Sequence, residues 1–430
     1  MADPAAPPPA PRSSFAAFES SDFRRYIAAR IFTTLAVQSQ WVAVGFQVYA
    51  LTHRPLSLGY VGLARFLPVA GLSIVGGSAA DRFDRRSVAL VGTLGFIAIA
   101  FGLYAVTRSA NPSVPLLYGL VMAFGVINSF FSPAVSAIVP SLVPPEHLTS
   151  AVSWQTLVWQ LSSVIGPSLG GAVYAFSERP GPVYLTAAAG LTLALFAFGA
   201  IRLRRPPVAR KRPSLAEALA GLSYVRQNKI LLGSISLDFF AVFLGGAVAL
   251  LPVYAADILN VGPRGLGIMR GAAPVGAGLM GLYLAVRPLG RNAGVKMLVC
   301  VGLFGAATIV FGVSRSFALS LLALTMLGAA DMVSVVVRKT LEQAATPDAM
   351  RGRVAAVTQV FIGASNELGE FESGVTAAWF GTVPSVVIGG LGTIIVVLLW
   401  AWFFPEIRRV DRLEDVKART GLEDVKASTE

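Results

Sequence analysis

The sequence is built from apolar runs of about 20 residues, the length an α-helix needs to cross the hydrocarbon core of a bilayer at about 1.5 Å per residue. Twelve such runs begin near Arg24, Leu56, Val88, Val114, Leu148 and Val183, then near Leu231, Gly265, Val295, Phe317, Val354 and Val383. Of the 430 residues 55% are hydrophobic and 13% charged, more apolar surface than a soluble domain of this length can hide. The expected fold is an all-α integral membrane protein of twelve transmembrane helices.

The formal charge of +12 does not mark a nucleic-acid-binding surface, because the basic residues fall in short clusters between apolar runs. With the N-terminus on the cytoplasmic side, 27 Lys and Arg lie inside, including four from Arg338 to Arg353, and 5 lie outside. Arg30, Arg65 and Arg270 remain within segments. Positive charge stays on the cytoplasmic face, so both termini are expected there, in a multi-pass protein of a plasma membrane. The dominance of Arg over Lys, with many Ala and Gly, suggests a bacterial inner membrane. Residues 1–22 are rich in Pro, Ala and Ser without an apolar core, and so resemble a cytoplasmic leader more than a cleaved signal.

Chemistry is sparse. The single cysteine, Cys300, forms no internal disulfide, and His53 and His147 fall in predicted loops, so neither metal nor cofactor is expected. No phosphate loop and no nucleophile constellation is evident, which argues against an enzyme and against ATP drive within the chain.

The longest polar interruption, Arg202 to Lys229, divides the segments into two sets of six. Within it Pro213 precedes a Ser214-x-x-Glu217 capping box and an apolar repeat of helical period, predicting a short surface helix. The expected divisions are a leader (1–22), an N-terminal bundle (23–203), a linker (204–230), a C-terminal bundle (231–404) and a cytoplasmic tail (405–430), in which Leu413 to Ala418 recurs at Leu422 to Ala427. The halves repeat: Arg65 with Pro68-Val-Ala-Gly71 is matched, about 205 residues on, by Arg270 with Pro274-Val-Gly-Ala-Gly278. Pro145-Glu146 is likewise matched by Pro347-Asp348. Six segments per half give the repeats the same orientation, placing a cavity between two bundles that can rock.

Two motifs carry a resemblance. After the second segment, Gly77-Gly-Ser-Ala-Ala-Asp81-Arg82-Phe-Asp84-Arg85-Arg86 combines a close-packing glycine, acids and arginines at one helix end. This is a charged turn able to make ion pairs in one state and break them in another. In the fifth segment, Gly166-Pro167-Ser-Leu-Gly170-Gly171 gives a bent, tightly packed span. With the six-plus-six layout, the whole chain resembles the major facilitator superfamily, whose signature loop has the first form. The resemblance implies two six-helix bundles, a gating loop at Gly77, Asp81, Arg82, Asp84, Arg85 and Arg86, and an antiporter motif at Gly166, Pro167, Gly170 and Gly171. Asp84 stands where that loop commonly has glycine, and the second-half counterpart near Arg287 to Arg291 has lost its acid. The proton-relay arginine often found in the family's fourth helix has no counterpart between Leu116 and Pro140. Arg351-Gly-Arg-Val354, Asn366-Glu-Leu-Gly-Glu-Phe-Glu-Ser-Gly374 and Leu251-Pro-Val-Tyr254 resemble the branch that exports siderophores of the enterobactin type.

Ionisable residues inside spans are costly and point to mechanism. At 100° per residue the eleventh segment places Val357, Phe361, Ala364, Leu368, Phe371 and Val375 on one face and Gln359, Asn366, Glu370 and Ser373 on the other, with Glu367 flanking. Glu370 is the first candidate for proton coupling or substrate contact, with ion pairing between helices as its structural alternative. Arg65 and Arg270, about 9–12 Å from the outer helix ends, suit an anionic substrate, or else snorkel or pair with Asp238 or Asp331. Asp238 is a second proton-site candidate. In the first segment Arg30, Thr34, Gln38, Trp41 and Gly45 share one stripe, where Gln38 and Trp41 suit an aromatic or amphipathic solute. The expected function is secondary active transport by alternating access. The cargo expected is a siderophore-like or amphipathic small molecule exported against protons, with a nutrient importer or a non-transporting receptor as alternatives.

Overall fold

A computed structural model describes residues 15–202, 215–347 and 350–411, and for residues 73–82 and 215–218 describes the backbone alone. The leader to residue 14, Ser214, Asp348 and the repeated tail lie outside the described residues, as do the surroundings of Gly77, Asp81 and Arg82.

The first half comprises α1 (Ser21–Thr52), α2 (Pro55–Arg82), α3 (Arg85–Arg108), α4 (Val114–Leu142), α5 (Leu148–Ser177) and α6 (Gly181–Gly199). After α7 (Leu215–Gln227), α8 (Lys229–Leu244) breaks at Gly245 and Gly246 and continues through α9 (Leu251–Val253) and a π turn at Tyr254–Ile258. There follow α10 (Gly262–Val286), α11 (Ala293–Val313), α12 (Phe317–Ala344), α13 (Arg351–Phe380), α14 (Thr382–Phe403) and the short α15 (Pro405–Arg408). Among the described residues, nine helices are long and apolar enough to cross a membrane. Three more, α1, α5 and α13, are as long but more polar. Of these, α1 packs on α2, α4, α5 and α6, α5 on α1 and α10, and α13 on α2 and α8. Exposed Trp379 and Phe380 end α13, and exposed Trp402 and Phe403 end α14, as aromatic residues do at the two faces of a bilayer. The chain is a multi-pass membrane protein.

The predicted linker helix is α7, which packs on α13 and α8, with Val225 buried and the Tyr224 hydroxyl donating to the Ala345 carbonyl at 2.8 Å. Two residues of the cytoplasmic charge count, Arg338 and Lys339, lie within α12; Lys339 is exposed, whereas Arg338 is 3% exposed and ion-paired with Asp238. The helix of α12 continues past the arginine through Lys339 to Ala344, and the ion pair lets Arg338 sit buried within it.

One apolar core joins the helices of the first half and another those of the second, while a third crosses between them, bringing Val42, Tyr49 and Leu58 against Leu250, Tyr254 and Ala377. The sequence repeat reappears as packing. Gly125 of α4 sits against the Arg65 carbonyl and Pro68 of α2, and Gly328 of α12 against the Ala273 carbonyl of α10.

The two halves meet along two seams, α2 with α13 and α5 with α10. At one end contact is between backbones. A Cβ on Gly171 would stand 2.5 Å from the Pro263 oxygen and 2.9 Å from the Gly267 Cα, and one on Gly59 would stand 3.3 Å from the Gly374 Cα. Toward the other end exposure climbs along each seam helix, from Gly374 through Glu370 to Gly363, Val360 and Ala356, and from Gly267 through Pro274 to Leu282. A Cβ on Gly278 or Gly363 would meet nothing within 4 Å. The halves therefore close at the end bearing the α1–α2 and α13–α14 turns and part at the end where α1 begins and α14 finishes.

Candidate functional site

A charged cluster sits at the head of this cleft, where the seams change from closed to open. Trp41 and Gly45 of α1, Leu58, Val61 and Arg65 of α2, Ala249, Arg270 of α10 and Glu370 of α13 line a narrow pocket there. Arg65 reaches across the seam to Glu367, Nε donating to Oε2 at 3.0 Å and Nη2 to Oε1 at 2.5 Å, and its Nη2 lies 3.6 Å from Glu370 Oε1. This two-pronged geometry is one that only a guanidinium gives a carboxylate. The same guanidinium lies 5.1 Å from the ring centre of Trp41, within cation–π range. Gly62 makes room: a Cβ there would stand 2.9 Å from Glu370 Oε2.

Arg270, the repeat-equivalent of Arg65, lines the same pocket, and its Nε is buried without a hydrogen-bond partner. Two guanidiniums and two carboxylates thus balance in charge, Glu370 acting on Arg270 as well as on Arg65, while Arg270 keeps hydrogen-bonding capacity unused. A buried donor without a partner is costly and favours an acceptor beside it.

The remaining predicted residues separate. Gln38 donates to Ser163 Oγ of α5 at 3.4 Å, and Trp41 packs edge-on against Phe124 at 4.9 Å. Gln359 and Asn366 of α13 are exposed to the cleft side, whereas Ser373 is buried against Gly246. Phe371 meets Tyr60 of α2, so the face read as apolar is also an inter-helix surface. Asp238 and Asp331 pair with neither Arg65 nor Arg270; they line a separate cavity between α8 and α12. In the gating loop, Asp84 caps α3, accepting from the Ser87 amide at 2.9 Å. Burial works against its charge, but the bonds from Ser87 and the positive Arg86 hold its carboxyl below the usual range. Arg85 donates to the Ala137 carbonyl at 2.8 Å and Arg86 to that of Gly199, tying the loop to α4 and α6. The antiporter motif forms the α5 seams: Gly170 lies against Ser39 of α1, and Gly171 and Pro167 against α10.

Sequence reasoning missed two cross-seam contacts. Gln160 Nε2 donates to the Pro274 carbonyl at 2.9 Å, and the Tyr49 hydroxyl donates to Asp257 at the closed end. No periodicity marks partners that meet only when two halves close. Arg338 could have been found, since Asp331, Ser334 and Arg338 recur at helical spacing. The Tyr49–Asp257 bond latches the closed end, and a bond to a charged group of this exposure is worth about 1 kcal/mol. Tyr49→Phe is expected to speed thiol labelling of a cysteine placed at Ser168 in a Cys300→Ser background by about fivefold; unchanged labelling would remove the latch role.

The model of the family described as transmembrane secretion effector matches residues 12–424. The chain is similar to the enterobactin exporter EntS of Citrobacter koseri, with 30% identity over 394 residues covering 90% of this chain and 92% of the relative. The enterobactin exporter of Escherichia coli O1:K1 matches with the same identity and coverage. Among solved structures, a bacterial homologue of the human lysosomal transporter Spinster, in an inward-facing and unoccupied conformation, superposes with a TM-score of 0.69 at 14% identity, over 93% of this chain and 99% of that one. A POT family transporter in complex with 5-aminolevulinic acid gives 0.70 at 13%, over 90% and 97%. A bacterial homologue of the iron transporter ferroportin, inward-facing, gives 0.68 at 17%, over 88% and 98%.

Proposed function

Because the chain belongs to the transmembrane secretion effector family of the major facilitator superfamily, and so is a membrane transporter and not an enzyme, we propose that it exports an amphipathic, anionic organic solute of the siderophore kind in exchange for protons. In this reading twelve spans form an N-terminal bundle (23–203) and a C-terminal bundle (231–404) joined by the linker (204–230). Both termini are cytoplasmic, with the leader (1–22) and tail (405–430) on that side. The cleft open toward the termini is then the inward-facing state.

The observation that carries the proposal is the bridge from Arg65 of one half to Glu367 and Glu370 of the other, at the head of the cleft. A bridge between two bundles holds one closed state, and neutralising its carboxylates weakens it, which links proton binding to bundle movement. Arg270 offers unused guanidinium donors to an anionic cargo, Trp41 an aromatic face, and Gln359 and Asn366 hydrogen bonds along the approach. The two identities of 30% to enterobactin exporters support a cargo of that class.

Uptake into everted membrane vesicles under an imposed proton gradient, with catecholate siderophores and amphipathic dyes as cargo, tests this. Wild type is expected to accumulate cargo, and Glu370→Gln and Glu367→Gln to lose gradient-driven accumulation. Accumulation insensitive to the gradient would remove proton coupling, and cargo movement only in the opposite sense would make the protein an importer.

A further inference from the structure

A second charged cluster lies inside the C-terminal half, away from the head of the cleft. Asp238 of α8 and Asp331 and Ser334 of α12 line a small cavity, with room for roughly one water molecule, closed by Ala241, Val242, Val301 and Phe304. Asp238 is 7% exposed and ion-paired with Arg338, one helical turn beyond Ser334. Among the described residues Asp331 has no ion-pair partner, and the Ser334 hydroxyl, 3% exposed and lining the cavity, has no hydrogen bond. From α11 come only apolar lining residues beside the half-buried Cys300, and further along α12 Glu342, which acts on Arg338, is itself offset by Lys339.

Counting charges, Asp238 and Arg338 cancel, and an ionised Asp331 is left as a net negative charge in an apolar bundle. Such a charge is stable only with a cation beside it, and the space beside it is the size of water, with Ser334 in its lining. The smallest cation that satisfies both is a proton, delivered by water entering the cavity. It adds to a carboxylate oxygen of Asp331, leaving a neutral acid that can hydrogen-bond Ser334, and it leaves again to water.

We propose that Asp331, together with Ser334 and the Asp238–Arg338 pair, forms a proton-binding site in the C-terminal half that is separate from the Arg65–Glu367–Glu370 cluster. It extends the proton-exchange reading above by adding a second titrating carboxyl to each cycle. The site reads out without cargo or gradient, so its failure and the failure of proton-driven export are told apart.

The test is infrared difference spectroscopy of the full-length purified protein in liposomes, titrated between acid and alkaline pH in sodium and in choline buffers. A protonated-carboxyl carbonyl band is expected that is lost in Asp331→Asn, restored in Asp331→Glu, and retained in the double variant Glu367→Gln/Glu370→Gln. Ser334→Ala is expected to keep the band but move the pH at which it appears. Persistence of every carboxyl band in Asp331→Asn, with the variant monodisperse and helical, would overturn the proposal. A titration displaced by sodium relative to choline would overturn it in favour of a metal-cation site.

Discussion

Arg65→Ala is expected to reduce gradient-driven uptake in everted vesicles to a few per cent of wild type while leaving the protein inserted and folded. The substitution removes both prongs of the bond to Glu367 and the positive charge near Glu370, leaving two carboxylates with Arg270 as the one cation beside them. Breaking one side of a fully buried pair costs about 3–5 kcal/mol. Here the side chains keep some access to the cleft, at 26% and 19% exposed, so about 2–3 kcal/mol is the fitting figure. At about 1.4 kcal/mol per decade, that shifts the balance between closed and open states by about 30- to 140-fold. Arg65→Lys is expected to retain an intermediate activity, because an ammonium supplies the charge without the fork. Wild-type uptake by Arg65→Ala would show that the bridge holds neither a state nor a proton-linked switch.

The second large effect is expected from Gly171→Leu, which should stop the seam from closing. A side chain there meets the Pro263 oxygen and the Gly267 Cα, both backbone atoms that cannot swing aside, so α5 and α10 must separate. Overpacking of this kind costs about 1–3 kcal/mol, and it is felt only in the state that brings the two backbones together. With Ser168→Cys as a probe in a Cys300→Ser background, labelling by a membrane-impermeant maleimide from the closed end is expected to rise at least about tenfold. Transport should fall in parallel, since a carrier unable to close one end cannot complete a cycle. Wild-type labelling with normal transport would mean that this contact is not remade during turnover.

These two predictions mark where sequence legibility ended. Hydropathy located the long helices because each span must cover its own backbone and meet lipid with apolar side chains, a local requirement. The duplicated Arg-Pro motifs revealed the repeat, and the structure gives them matching packing through Gly125 and Gly328. The polar stripe of α13 picked out Glu367 and Glu370, because a carboxylate within a span is rare enough to stand out in one dimension.

Partner choice was not local. The acids offered to Arg65 in the sequence were Asp238 and Asp331, yet its partners are Glu367 and Glu370, which only the packing of α2 on α13 brings within reach. Asp238 instead takes Arg338, which looked like a loop residue because Arg338-Lys339 opens a polar stretch, and only a buried carboxylate on another helix lets the arginine stay inside the bundle. By itself the sequence determined that this chain lives in a bilayer, that its halves repeat, and which charges must be accounted for. Tertiary structure alone decided which charges neutralise one another, which arginine keeps unused hydrogen-bond donors, and at which end the halves meet, because ion pairing depends on distances of a few ångströms between segments hundreds of residues apart.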